Sequence, residues 1–511
     1  MFALAAIFEK VNDATRRNVN MYLTRFRLFS SWMAKVTKVV EKSKTKILCT
    51  IGPSTSSEQM LVRLIDAGMN VARLNFAHGD LAEKATWMRR IRRAATTTRV
   101  PVGVLVDLPG PKIRVGEVSP EPTILREGSQ LTLTAHRVVG NSRLLSISHP
   151  SVLRELSEGD SVSLEDGTIE LAVQHALGDE AVCRVTRGGA LFSGKGVNLP
   201  GKLLRVKAPT KEDVRLMRFA LKNGADFIGL SFTKSANDVI ATKRIAMQAG
   251  RRAWIIAKIE NRQAVEDFDE ILQEADGAMV ARGDLGVEMG IDDIPLLQKT
   301  IIRKANEAGK PVITATQMLE SMVENPTPTR AEVSDIANAI IDGTDAIMLS
   351  EETAVGKYPV EAVKVMRRVA AATEKALPYA ALLDLRRALV GRIVQDAISF
   401  SACDVAHKLG ASCIVAHTRT GLTAHRVSKF RSSVPIIALT YSTPVMNRLS
   451  LLWGVYPRQV RKLRTTAEIF SAAERAALAS RIARRGSRIV VVCGDPSTPS
   501  GTTDLLRVQT I

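Results

Sequence analysis

Eight short apolar runs between Thr45 and Glu352 restrict the fold of this chain more than any other feature of its sequence. They are "TKILCTI" (45–51), "NVARLNF" (70–76), "VPVGVLVDL" (100–108), "FIGLSF" (227–232), "WIIAKIE" (254–260), "GAMVARGD" (277–284), "PVITATQM" (311–318) and "AIMLSEE" (346–352). Such runs suit strands covered on both faces, as in parallel sheets. Parallel neighbours need long crossovers, normally helices, and helical stripes fill most of the gaps. Leu61, Leu64 and Ile65 form one stripe, with Thr55 and Glu58 spaced as a capping box ahead of it and Gly68 behind. Thr329 and Glu332 open another, with Val333, Ile336 and Ile340 inward. Eight strands with helices between them suit a closed (β/α)8 TIM-type barrel. An open, doubly wound sheet is the alternative that periodicity leaves.

The ends of these runs are polar. Arg73 and Asn75 close the second, Asp107 the third, Ser231 the fourth, Lys258 and Glu260 the fifth, and Asp284 the sixth. Thr316 closes the seventh, and Ser350 with Glu352 the eighth. The C-terminal ends of barrel strands share one rim, where such folds carry out chemistry, so these groups are expected around one mouth. Glu260 and Asp284 are hard oxygen ligands; two carboxylates completed by substrate oxygens and water suit Mg2+ (or Mn2+). Lys258 lies two residues from Glu260, so both side chains leave the same face of the strand. An ammonium beside a metal is poorly placed to be a neutral base and well placed to hold an anion. With Arg73 it would surround a phosphoryl group, whose transfer depends on positioning and charge neutralisation. Any one of these residues alone would read as a solvated strand cap; their convergence carries the inference. No GxxxxGK[ST] loop is present, so a nucleotide would not be held by a P-loop.

The flanking sequence divides the chain further. The barrel is expected over 45–108 and 208–380, interrupted at 109–207 by short alternating strands and turn signals such as "LSEGDSVSLEDGTIELAV". These read as an inserted small β-barrel acting as a lid, hinged at "DLPGPKIR" and "GKGVNLPG". Residues 385–511 read as a C-terminal α/β domain, with "CIVAHT", "VPIIALT" and "RIVVVCG" in a parallel core. Residues 1–44 form a basic N-terminal extension, either a targeting segment or sequence upstream of a true start at Met33. The 71 basic against 52 acidic side chains give a formal charge of +19, but the basic clusters lack interleaved aromatics, which argues against nucleic acid. No apolar run approaches the ~18 residues of a membrane span. Five cysteines without a CxxC pair fit a reducing compartment, so a cytoplasmic location is expected.

"TKILCTIGPS", "GMNVARLNFAHG", "GPKIRVG", "GVNLPG", "IIAKIEN", "VARGDLGVE", "ITATQMLESM" and "PTRAEVSDIANAIIDGTDAIMLSEETAVGKYP" together resemble the pyruvate kinase family, in order and from Thr45 to the C-terminus. "ATQMLESM" and "ARGDLGVE" are the most specific of them. The resemblance implies a (β/α)8 barrel, a β-barrel lid and a C-terminal regulatory domain, assembled as a homotetramer. It implies phosphoryl transfer from phosphoenolpyruvate to ADP, giving pyruvate and ATP in glycolysis. Carried over by motif, Lys258 stabilises the phosphoryl group in flight, Glu260 and Asp284 hold the metal, and Arg73 and Ser231 contact phosphate. Gly283, Asp284 and Thr316 border the substrate carboxylate, and Thr316 lies near the carbon that is protonated. Asn75, His78, Arg114 and, from the lid, Asp166 and Lys195 fall on the nucleotide side.

Two points concern this chain in particular. Many members of the family hold a monovalent cation with an Asn, a Ser, an Asp and a Thr. Here Asn75 and Asp107 remain, Ala77 and Leu108 replace the hydroxyls, and Lys112 stands where K+-requiring members carry Glu. A fixed ammonium can supply the charge of a bound cation, so K+ is expected not to be required. In the C-terminal domain "HTRTG" (417–421) offers Thr418, Arg419 and Thr420 to a phosphorylated effector, with "GDPSTPSGTTD" (494–504) as the companion loop. Other readings are a metal-dependent barrel aldolase or mutase, against which the lid and the Arg73–Lys258 pair speak, and a non-catalytic regulator. Lys258, Glu260, Asp284 and Thr316 are all present, which disfavours the second.

Overall fold

A computed structural model of the chain describes residues 43–202, 207–496 and 501–511. The expected N-terminal extension therefore lies, up to residue 42, outside the described residues, as do 203–206 in the return hinge and 497–500 in the companion loop.

The eight runs form one closed parallel barrel rather than an open sheet. Its strands are Lys46–Thr50, Val71–Asn75, Gly103–Asp107, Phe227–Leu230, Trp254–Ile259, Gly277–Ala281, Val312–Ala315 and Ala346–Leu349. The ring shuts where the first strand pairs with the eighth, Lys46 opposite Ala346 and Cys49 opposite Leu349. Alternation along each strand separates two cores. Every strand sends at least one residue into the bore: Leu48, Val71, Leu105, Phe227, Ile256, Met279, Ile313 and Met348. Their neighbours Ile47, Ala72, Val104, Ile228, Ile255, Ala278, Val312 and Ile347 pack outward against the helices. Burial on both faces is why these runs are continuously apolar.

Helix boundaries follow local chemistry. Thr329 and Glu332 make the expected reciprocal cap on the helix Arg330–Asp342. The first helix, Glu58–Ala67, is capped instead by Ser57, whose side chain accepts from the Met60 amide. Thr55 is not available for that role: its hydroxyl accepts from Gly52 N at 3.2 Å and donates to Thr353 O at 2.8 Å, tying the loop to the eighth strand's exit.

The insert follows the third barrel strand. Its seven-stranded sheet runs in the order Ile113–Arg114, Gly196–Asn198, Ser161–Leu164, Ile169–Ala176, Glu180–Arg187, Gln130–Thr134 and Leu144–Ser146. One isolated bridge, Val115 to Ile147, joins the two edges and curls the sheet into a small barrel. It has its own core of aliphatic side chains, including Leu131, Leu133, Leu145, Val162, Leu171 and Val185.

The C-terminal sheet has five strands in the order Val455–Gln459, Ile436–Thr440, Cys413–His417, Arg488–Cys493 and Leu505–Thr510. The first four are parallel and the last is antiparallel. It is joined to the N-terminal end of the barrel. Leu451 extends the bore's apolar plug, and the buried Lys46 ammonium donates to Val455 O at 2.6 Å. Arg431 grips Asp345, just ahead of the eighth strand, through both carboxylate oxygens at 2.7 and 2.9 Å, and also donates to Asn306 and to Gly343 O. Among the described residues, no helix is long and apolar enough to cross a membrane.

Candidate active site

Arg73, Asp107 and Lys258 each lie two residues beyond a bore-filling side chain (Val71, Leu105 and Ile256). They therefore face the bore one layer higher, at its C-terminal mouth. Asp107 joins them. Its Oδ2 accepts from Arg73 Nε at 2.9 Å and from Nη2 at 2.5 Å, while its Oδ1 lies 3.3 Å from Lys258 Nζ. Burial alone would raise the Asp107 pKa, but the charges of Lys258 and Arg73 outweigh it and hold the carboxyl below its ordinary value.

Lys258 is the best-anchored group of the mouth. Its ammonium donates to Ser231 Oγ at 2.7 Å and lies 2.7 Å from Glu260 Oε1 as well as near Asp107. Three oxygens thus surround the ammonium, of which the Ser231 hydroxyl takes its directed hydrogen bond. Burial disfavours its charge, yet Asp107 and Glu260 more than offset this and raise the pKa above the usual lysine value. It is a fixed cation and not a base. Ser231 in turn donates to Leu108 O at 2.6 Å.

Glu260 follows the fifth strand, nearly sealed from solvent at 1 % exposure. Its Oε2 accepts from the Phe232 amide at 2.7 Å, an amide turned inward by a left-handed backbone at Phe232 (φ +53°). Its Oε1 pairs by charge with Lys258 but accepts no well-directed hydrogen bond. Burial raises the Glu260 pKa, Lys258 opposes that rise, and the Asp284 carboxylate adds to it. An under-coordinated buried oxygen on a carboxylate that feels a second carboxylate is a donor set suited to a divalent cation. Among the described residues no cluster of three or more His, Cys, Asp or Glu could hold a metal. Glu260 and Asp284 would suit a Mg2+ ion that draws its remaining ligands from substrate and water.

Asp284 is not at a strand end, as the sequence suggested. The sixth strand stops at Ala281 and a helix, Arg282–Met289, begins at once, with Asp284 in its first turn. A carboxylate there is favoured by the exposed amides of the helix start. Lys112, on the segment entering the insert, reaches across to Asp284 Oδ1 at 3.0 Å.

Thr316 has a left-handed backbone (φ +69°), as does Gln317 (φ +54°). A β-branched residue is strained there by about 1–3 kcal/mol. The loop is held by Arg282, which the sequence reading did not single out. Arg282 donates to Ala315 O at 3.2 Å and Thr316 O at 2.6 Å, and is itself anchored 2.7 Å from Asp335. The Thr316 hydroxyl accepts from Gly283 N at 3.0 Å, which joins the sixth and seventh strand ends.

The expected nucleotide-side residues are spread more widely. Asn75 Oδ1 accepts from Ala77 N at 3.0 Å and shapes the loop that carries His78. Burial, then the charges of Arg114, Lys84 and Lys112, depress the His78 pKa. Within the insert, Arg114 donates to Gly194 O at 2.8 Å and Lys195 pairs with Glu165 at 2.6 Å. Asp166 belongs to the turn Glu165–Gly167, and its side chain lies outside the described residues. A cleft of about 220 Å³ separates insert from barrel, lined in part by Pro111, Asn198, Phe232, Arg262 and Glu288. Burial pushes the Glu288 carboxyl up to about 7 there.

Thr418, Arg419 and Thr420 lie apart from the mouth, in the C-terminal domain. With Lys462, Arg464 and Thr502 they line a cavity of about 240 Å³. Thr418 Oγ1 accepts from Gly421 N at 2.9 Å, the residue that starts the helix Leu422–Lys429. Burial and then Arg419 press the His417 pKa down to about 4, so this strand end contributes a neutral imidazole.

Known proteins share both parts of this architecture. The family description "Pyruvate kinase, barrel domain" matches residues 42–363, and "Pyruvate kinase, alpha/beta domain" matches 396–509. The chain is 45 % identical over 474 residues to a pyruvate kinase of Geobacillus stearothermophilus, covering 92 % of this chain and 81 % of that one. It is 43 % identical to pyruvate kinase 2 of a Synechocystis species, covering 92 % and 79 %. It is 40 % identical to a pyruvate kinase of Clostridium acetobutylicum, covering 92 % and 99 %. With both domains matched in order over nearly the whole length, the chain belongs to the pyruvate kinase family.

Proposed function

We propose that the chain transfers the phosphoryl group of phosphoenolpyruvate to ADP, giving pyruvate and ATP. The observation that carries this reading is the Lys258 ammonium, pinned by Ser231, Asp107 and Glu260 beside the Arg73 guanidinium. Arg73 and Ser231 hold the phosphate, and Lys258 balances the charge of the phosphoryl group between donor and acceptor. Positioning and electrostatic compensation are what phosphoryl transfer asks of a protein. A divalent cation, Mg2+ or Mn2+ on Glu260 and Asp284, supplies further neutralisation of the phosphoryl oxygens when bound. Gly283, Asp284 and Thr316 border the substrate carboxylate, and the Thr316 hydroxyl stands near the carbon that receives a proton. Asn75, His78, Arg114, Asp166 and Lys195 attend the nucleotide, with the insert as a lid that keeps water from a transferable phosphoryl group. The working unit is a homotetramer in the cytoplasm, a setting supported by five free, buried cysteine thiols. ADP-dependent release of pyruvate with ATP formation tests the reaction. Silence with every divalent metal and candidate activator would sink it.

Lys112 takes the place of a monovalent cation in this reading. Its ammonium is already on Asp284 at 3.0 Å, while both Asp107 oxygens are engaged by Arg73 and Lys258. In K+-free tetraalkylammonium buffer the initial rate is expected to match that with K+; strong K+ activation would overturn this assignment.

The cavity of Thr418, Arg419 and Thr420 binds a phosphorylated metabolite that activates the enzyme. Among the described lining residues, three cationic side chains (Arg419, Lys462 and Arg464) against one acid, Asp495, favour an anion there. Arg419→Glu is expected to abolish activation. Activation of that variant by the same metabolites at unchanged concentrations would remove the site.

A further inference from the structure

Lys84 is a buried cation that has no counter-ion among the described residues. It lies in the first turn of the helix Leu81–Thr98 and retains 5 % of its accessible surface. The other buried cations among the described residues have oxygen partners: Lys46 donates to Val455 O, Lys258 is surrounded by Ser231, Asp107 and Glu260, and Arg431 of the C-terminal domain is clamped on Asp345. Among the described residues, no carboxylate or carbonyl oxygen is paired with Lys84. Its one close partner is the Trp87 ring, 4.3 Å from Nζ to the centroid. An aromatic face compensates a buried ammonium only in part. Glu83, its neighbour in the chain, is exposed and attracts it from beyond ion-pair distance, while Arg73 repels it.

The surroundings point to what completes it. Gly79 (φ +84°) lets the loop after the second strand fold over the lysine, and a side chain there would begin 3.4–3.5 Å from Lys84 Cε and Nζ. That loop carries His78, which senses the charges of Arg114, Lys84 and Lys112 together. Arg73 is near enough to oppose the charge of Lys84. Three cations thus bear on one imidazole at the mouth, with Arg73 near one of them, and a ligand with several negative charges is the natural partner of such a set.

We propose that Lys84 is a further binding residue for the phosphates of the nucleoside diphosphate, supplying a charge-assisted hydrogen bond beside His78. This rests on the reading that Asn75, His78 and Arg114 form the nucleotide side. The donor substrate's phosphate is already provided for by Arg73, Ser231 and Lys258, which leaves Lys84 to the acceptor. A contact to phosphate is blind to the base, so all nucleoside diphosphates should depend on it equally.

Lys84→Met keeps a stem against Trp87 and removes the charge. The KM for ADP is expected to rise about tenfold, the size of one charge-assisted hydrogen bond, with the same rise for GDP and little change in the KM for phosphoenolpyruvate. Lys84→Arg should recover most of the affinity. Arg114→Met serves as the control for the reading beneath. If Arg114→Met raises the ADP KM and Lys84→Met does not, this proposal fails and the nucleotide side stands; if neither moves it, both fail. An equal rise in the phosphoenolpyruvate KM would also overturn the assignment. If Lys84→Met and Lys84→Gln lose their fold while Lys84→Arg keeps it, the residue belongs to the Trp87 packing and the proposal is wrong.

Discussion

Lys258→Met is expected to lower kcat by about 10²–10³-fold, the loss that follows when one preorganised charge-stabilising donor is removed from an active site. Methionine preserves most of the side chain's length but none of its three donors. Asp107 would keep Arg73, and Ser231 would keep Leu108 O, so the loss falls on Glu260, whose Oε1 is paired with Lys258 at 2.7 Å. Two consequences separate this from general damage. The KM for ADP should change far less than kcat, because the described contacts of Lys258 are Ser231, Asp107 and Glu260, none of them on the nucleotide side. Lys258→Arg should not restore the rate, since a planar guanidinium cannot meet three oxygens arranged around a single nitrogen. Initial rates of pyruvate release at saturating substrates test both, with thermal melting as the check on folding. A Lys258→Met enzyme turning over within a few-fold of the parent would remove this residue from the chemistry.

Arg431→Met is expected to destabilise the chain by about 3–5 kcal/mol, the cost of removing one partner from a buried ion pair. Arg431 and Asp345 are 7 % and 6 % exposed, so the surviving carboxylate would be desolvated without a cation. Asp345 retains the Val312 and Trp453 amides at 3.1 and 3.3 Å, which cannot replace a bidentate guanidinium. Arg431 also closes the turn after the helix Leu422–Lys429, with a left-handed backbone at φ +51°. The pair is thus a bolt between the C-terminal domain and the floor of the barrel. Adding Asp345→Asn should recover much of the loss, because the uncompensated charge goes with it. Urea denaturation of the two variants decides the matter. A double variant no better than the single one would mean that packing, not charge, holds this joint.

The barrel was legible because a strand covered on both sides leaves an uninterrupted apolar trace, and all eight such traces became strands. Their exits were harder to place. Asp284 read as the end of the sixth strand, but a chain that turns straight into a helix has no separating loop signal, and the side chain belongs to that helix. Thr55 read as the cap of the first helix, but Ser57 holds that place; only the fold determines that Thr55 is engaged by the eighth strand's exit. In the C-terminal domain the strand Val455–Gln459 was hidden by Pro457 and its polar neighbours. The antiparallel edge Leu505–Thr510 alternates with Arg507 and Gln509. Glu260, Asp284 and Lys258 stood out in sequence because they are charged residues in or directly after apolar runs. Arg282 and Lys84 did not. Each draws its meaning from distant segments, Arg282 from Asp335 and the loop at Thr316, and Lys84 from a loop folded over it.

The pairing that shuts the ring also sets a schedule for making the molecule. Thr50 donates to Leu349 O, 299 residues further along, so the opening strand has no second neighbour until that stretch has left the ribosome. At roughly 5–20 residues per second this leaves Lys46–Thr50 with a bare flank for on the order of tens of seconds. Nascent chains of this length are expected to need shielding by a chaperone, and messages truncated before codon 346 to yield aggregates instead of partial enzymes.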